Sequence, residues 1–184
     1  TDPGVDDMVA ILAALHCPAI ELLAVTTVGG NVPLETTTRN ALRILARVGR
    51  LDVPVYAGLS GAHTAEHVHG DDGLAGCPWP DAAMGARAEP AVEFLARRLT
   101  EGDVTLACLG PLTNLAAALN FRGVKELVAE RSAHLVIAGS AGFAADPVAA
   151  RKVLAEWPTP VTFVPAEVGR VTMFPASAVE KDFL

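Results

Sequence analysis

Three cysteines in 184 residues, Cys17, Cys77 and Cys108, are too few and too scattered for a disulfide framework, and no Cys-x-x-Cys pair is present to hold zinc. A reducing, cytoplasmic setting is therefore expected. No run of about 18 apolar residues occurs, so no membrane span is expected. Basic residues are scarce: 14 Lys and Arg stand against 21 Asp and Glu, for a net charge of −7 and a pI near 5.1. That balance argues against binding nucleic-acid backbones or anionic membranes. It favours a small ligand that is neutral or becomes cationic in its transition state. What is abundant is apolar side chain, 51% of residues, enough to bury one substantial core, and a single domain over residues 1–184 is expected.

The scarcity of positive charge is sharpest at the start. Thr1-Asp2-Pro3-Gly4-Val5-Asp6-Asp7 places three carboxylates within six residues, and the nearest basic side chain in sequence is Arg39. Val5, Met8, Val9, Leu12 and Leu15 follow at helical spacing and predict an amphipathic helix with that stripe facing the core. The acids thus occupy the turn that opens a helix. Two readings fit: Asp2 as an N-cap with Asp6 and Asp7 as first-turn acids complementing the helix dipole, or a cage of hard oxygen ligands such as Ca²⁺ or Mg²⁺ prefers. An EF-hand is excluded, because its acids sit at alternate positions and are followed by a Glu. The chain opens on Thr1 with no initiator Met and no apolar strand to feed this turn, so such a strand is expected upstream, with a signal peptide before it left open.

Further along, residues 20–28 form an apolar, β-branched run ending at Gly29-Gly30, which predicts a buried parallel strand with Asn31 just past its carboxyl end. Residues 34–48 have helical periodicity, with Arg39, Arg43 and Arg47 along a solvated face, and residues 53–56 predict a short strand. The segment 58–80 is long, polar and rich in His and Gly, the kind of loop that is often functional. It carries His63, His67 and His69. His67-x-His69 lacks the Cys or third clustered ligand a zinc site needs. Residues 91–99 and 147–157 predict helices, and residues 104–109, 134–138 and 161–164 predict strands. Gly110-Pro111-Leu112-Thr113-Asn114-Leu115 is a second strand-to-helix turn, with Asn114 as a local cap in the simplest reading. Alternating strands and helices imply an α/β fold: an open, mostly parallel, doubly wound (Rossmann-like) sheet with helices on both faces. Ligands then bind at the carboxyl ends of the strands.

Thr1-Asp2-Pro3-Gly4-Val5-Asp6-Asp7 with Ala10, Val68-His69-Gly70-Asp71-Asp72-Gly73-Leu74, and Gly110-Pro111-Leu112-Thr113-Asn114-Leu115 together resemble the inosine-uridine preferring nucleoside hydrolases, calcium-dependent enzymes that cleave the N-glycosidic bond of ribonucleosides. The resemblance implies Ca²⁺ held by Asp2, Asp7 and the backbone carbonyl of Thr113, with Asp2 also the general base. It implies Asp6 as a ligand of ribose hydroxyls, and Asn31 and His69 as substrate contacts. It further implies a small-molecule ribonucleoside substrate and a homo-oligomer, dimer or tetramer. The sequence departs from the family near residues 139–143, where it runs from Gly139-Ser140-Ala141-Gly142 almost directly to Asp146-Pro147 and lacks the Asn- and Glu-bearing loop that holds the ribose. Pro165-Ala166-Glu167-Val168 stands where the family has an Asp-containing turn, and the family's late His-Asp motif lies beyond Leu184. A non-catalytic nucleoside- or sugar-binding protein is therefore the alternative expectation. A Mg²⁺ phosphatase is weaker, since its Asp-x-Asp spacing is not present here.

Overall fold

The computed structural model describes residues 1–61, 68–131, 133–139 and 141–172. Its helices are α1 (Val5–His16), α2 (Leu34–Arg47), α3 (Ala91–Glu101), α4 (Thr113–Ala118), α5 (Val124–Arg131), α6 (Ala141–Ala145), α7 (Pro147–Glu156) and α8 (Ala166–Val171). Its strands are β1 (Val25–Thr27), β2 (Val55–Ala57), β3 (Thr105–Cys108), β4 (His134–Ala138) and β5 (Val161–Val164). All named strand pairs are parallel. β1 pairs with β2 in the register Val25↔Val55, and β3, β4 and β5 form a second ladder in that order, with Leu106↔Leu135 and Leu135↔Val161. The α/β class expected from the alternation is thus observed, with parallel strands in open sheets and helices around them.

Apolar side chains gather into two clusters. One joins α3, α4, α5 and α7 to the β3–β5 ladder around Leu99, Leu119, Leu135, Ile137 and Val153, all essentially without solvent contact. The other joins α1 and α2 to β1 and β2 around Ile11, Ile44, Leu45 and Val55. No helix among the described residues is long and apolar enough to cross a membrane.

Two expectations are corrected. The strand expected over residues 20–28 is only Val25–Thr27, with Ile20 and Leu23 exposed. A parallel strand lasts only as long as its neighbour. Val25 N–H meets the Pro54 carbonyl, and upstream of Pro54 the chain turns away, Val53 N–H closing on the Arg50 carbonyl. In α1, Val9 is 56% exposed, and Ile11 is the buried residue, flanked by Met8, Leu12 and Leu15. The stripe is rotated because Asp7, one turn before Ile11, occupies the inner face as well.

The two ladders are joined through Tyr56 of β2, which stacks on Phe94 in the larger cluster, and through one polar side chain. Asn114, buried at the start of α4, donates from Nδ2 to the Thr27 carbonyl at 2.8 Å and accepts the Leu59 N–H on Oδ1 at 2.9 Å. It is therefore a bridge between elements rather than the local cap that its sequence context suggests. Asn114→Ala strands both main-chain groups and is expected to cost about 2–4 kcal/mol of stability, whereas exposed Asn120→Ala should change it by less than about 0.5 kcal/mol. Urea denaturation of the two variants checks this.

Candidate active site

The acidic turn lies against the carboxyl ends of β1 and β3. The Thr1 carbonyl accepts the Val28 N–H at 3.0 Å, which sets the turn beside the end of β1. Gly30, just after β1, and Gly110, just after β3, then close on Asp2 from either side. A Cβ at Gly30 would stand 2.1 Å from Asp2 Oδ2, and one at Gly110 would stand 2.0 Å from Asp2 Oδ1. Only glycine leaves room for the carboxylate at both positions.

The N-cap of α1 is Gly4, not Asp2. Asp7, three residues into the helix, accepts the Gly4 N–H at 3.1 Å, the reciprocal half of a capping box, and also accepts the Thr1 hydroxyl hydrogen bond. Asp2 is thereby freed from capping and is 6% exposed, with Asp7 at 4%. Asn31 holds the turn from the β1 side. Its N–H donates to Asp2 Oδ2 at 2.9 Å, and its Nδ2 donates to the Asp2 carbonyl at 3.0 Å and lies 3.5 Å from Asp7 Oδ2. His69 crosses the turn, with Nδ1 3.4 Å from the Val5 N–H and Nε2 3.3 Å from Asp6 Oδ1. Asp6 points outward, its side chain 79% exposed.

The fold therefore brings Asp2, Asp6, Asp7, Asn31 and His69 together. Thr113 belongs to the turn that reaches Asp2 at Gly110, but its own hydroxyl is directed to Asp146, donating to Oδ2 at 2.7 Å. Asp146 in turn caps α7 by accepting the Ala149 N–H. His63 and His67 lie outside the described residues. Among the residues not singled out from sequence, Gly30, Gly110 and Asn40 contribute to the site. The signal for the two glycines was their place immediately after strands; for Asn40, inside a helical stretch, there was none.

Burial raises the Asp2 carboxyl to about 7, the charge of Asp7 adds to the rise, and the Asn31 N–H opposes it. Asp7 is also raised, again chiefly by burial, with the Thr1 hydroxyl the largest opposing contribution. Among the described residues, no Lys or Arg forms an ion pair with either acid, and no group of three His, Cys, Asp or Glu side chains converges as metal ligands. Two buried carboxylates whose ionised forms are disfavoured suit a hard divalent cation, provided main-chain or substrate oxygens complete the shell. A hollow of about 430 Å³ lined by Leu15, Ile20, Leu22, Arg50 and Asp52 lies at the amino ends of β1 and β2 and shares no residue with the acidic turn.

A buried acidic turn lies at the carboxyl edge of parallel strands in this α/β protein, and comparison with known proteins gives the class a family. The family model for "Inosine-uridine preferring nucleoside hydrolase" matches residues 1–183, and the chain belongs to that family. It is 39% identical over 186 residues to an uncharacterised protein of Schizosaccharomyces pombe, C1683.06c, covering 91% of this chain and 60% of the relative. It is 40% identical over 154 residues to probable uridine nucleosidase 2 of Oryza sativa subsp. japonica, covering 79% of this chain and 45% of that protein. The solved purine-preferring ribonucleoside hydrolase from Gardnerella vaginalis superposes with a TM-score of 0.86 at 32% identity, over 98% of this chain and 64% of that one. The chain thus spans about half to two thirds of the length of these relatives.

The raised Asp2 carboxyl has a consequence for stability. Its ordinary value in an unfolded chain is 3.8, so between about 4 and 7 the folded state holds a proton that the unfolded state releases. In chelator-treated protein this group's contribution is complete below that window and is lost as pH rises through it. The Tm difference between wild type and Asp2→Asn should therefore shift against wild type from pH 4 to pH 8. Parallel Tm profiles for the two proteins would contradict the shift.

Proposed function

We propose that this protein hydrolyses the N-glycosidic bond of ribonucleosides, releasing free base and ribose. The observation that carries the reading is Asp2, a carboxylate enclosed by Gly30, Gly110 and Asn31 beside Asp7 at the carboxyl ends of the strands, where it can serve as a general base toward water. Asp2 takes a proton from water as the water oxygen forms its bond to C1′. The bond from C1′ to the base nitrogen breaks, and the base leaves with its electron pair and takes a proton from solvent, to which Asp2 later returns the one it accepted. A single displacement inverts the anomeric carbon, and the surrounding carboxylates favour the cationic sugar of the transition state.

The exposed carboxylate of Asp6 would accept hydrogen bonds from ribose hydroxyls, and His69 and Asn31, which both lie against Gly4, would contact the substrate. Asp2, Asp7 and the Thr113 carbonyl would hold a calcium ion, which when bound supplies a positive charge that polarises and orients water. Base preference is open between uridine, named for the rice relative, and purines, named for the Gardnerella enzyme. One observation favours a second reading, a non-catalytic nucleoside binder: only the five-residue α6 stands between β4 and α7, with no Asn or Glu to hold ribose.

In the intact protein saturated with calcium, Asp2→Asn should lower kcat by about 10²–10⁴. Turnover within a few-fold of wild type removes Asp2 from the role. EDTA should lower the Tm of wild type and leave Asp7→Ala nearly unaffected; an unchanged wild-type Tm would dismiss the ion. Uridine and inosine should release base faster than their 5′-monophosphates, because the acidic turn repels phosphate. A chromatographic assay of free base gives the order.

A further inference from the structure

We propose that Asn40 is a positioning residue for His69: its side-chain amide clamps the loop that carries His69 to the acidic turn. This rests on the hydrolase reading above for its effect on substrate. Asn40 lies on the inner face of α2 with no solvent exposure. Its Nδ2 donates to the Asp72 carbonyl at 2.8 Å and to the Pro3 carbonyl at 3.3 Å, so one amide joins the His69 loop to the residue following Asp2. Its Oδ1 is buried and has no hydrogen-bond partner among the described residues. Turning the amide over would set that oxygen against both carbonyls. A buried unpaired oxygen is a cost that an apolar side chain of this size would avoid, so the two donations are what the position retains.

The clamp acts on a loop that is already internally braced. Ala75 N–H closes on the His69 carbonyl at 2.7 Å, and Asp72 Oδ1 accepts the Leu74 and Gly76 N–H groups at 3.0 and 3.1 Å. Gly73 sits directly over the clamp at φ +77°, and a Cβ there would stand 2.9 Å from Asn40 Nδ2. Such a loop moves as a unit, and fixing Asp72 fixes His69. At its other end the imidazole meets the Val5 N–H and Asp6, so a shift of the loop would move His69 relative to the acid assigned to ribose.

Asn40→Asp keeps the shape and replaces the donor with an acceptor. In the intact protein it should raise KM for uridine about tenfold and change kcat by less than about threefold. Amide hydrogen exchange should quicken about tenfold at Ala75 and Gly76 and stay constant at Leu99 in α3. Because Asn40 is wholly buried, Asp72→Ala provides a second variant that loosens the same loop from its surface side, and it should give the same KM-against-kcat split. In a His69→Ala background, either substitution should raise KM by less than about twofold. The proposal is overturned by an unchanged KM, by an equal fall in kcat, or by full additivity with His69→Ala. If the wild-type protein cleaves no ribonucleoside, the hydrolase reading fails separately. Exchange at Ala75 in the Asn40 and Asp72 variants then decides the clamp, with undiminished protection refuting it.

Discussion

The enclosure of the Asp2 carboxylate is the constraint on which the rest of the site depends. Taking a carboxylate out of water costs several kcal/mol unless its oxygens are met, and here Oδ2 is met by the Asn31 main-chain N–H rather than by a basic side chain, while the Asn31 side chain holds the Asp2 carbonyl. The ends of β1 and β3 can approach it only because Gly30 and Gly110 carry no Cβ. A second buried acid, Asp7, adds to the rise at Asp2 and is itself raised chiefly by its own burial, and the two carboxylates side by side favour a cation. The two parallel ladders thus meet at a point of electrostatic tension, and the apolar clusters behind them hold it closed.

The three acids of the turn have separate tasks because a helix advances about 100° per residue. Asp7 faces inward, completing the cap at Gly4 and standing one turn before buried Ile11, while Asp6, one position earlier, is swung to solvent and meets His69. Asp2 precedes the helix and is directed by the turn itself. A cluster that looks uniform in sequence is thereby divided into a buried pair and an exposed single carboxylate, the division that the proposed water activation and ribose recognition would use.

Three asparagines stitch this arrangement together. Asn31 joins the end of β1 to the acidic turn, Asn40 joins α2 to that turn and to the His69 loop, and Asn114 joins α4 to β1 and to the chain beyond β2. In each case an amide can satisfy main-chain groups that loops leave unpaired, without introducing a further charge beside two carboxylates.

Local patterning in the sequence determined most of the elements. The runs at His134–Ala138 and Val161–Val164 are strands at those bounds, and α2, α3 and α7 begin at the residues expected, because apolar periodicity and the Asp146-Pro147 start are short-range signals. The acidic turn and the two strand-to-helix turns were likewise legible, since clustered acids without counter-charge and glycines after strands stand out in one dimension. Tertiary structure alone decided that β1 shrinks to three residues, because strand length depends on a neighbour, and that Val9 is exposed, because a buried Asp7 rotates the helix. It also decided which residues bury Asp2 and what Asn40 and Asn114 hold. Those contacts span 28 to 108 residues of chain, and no pattern within a single segment encodes the three-dimensional meeting of two loops.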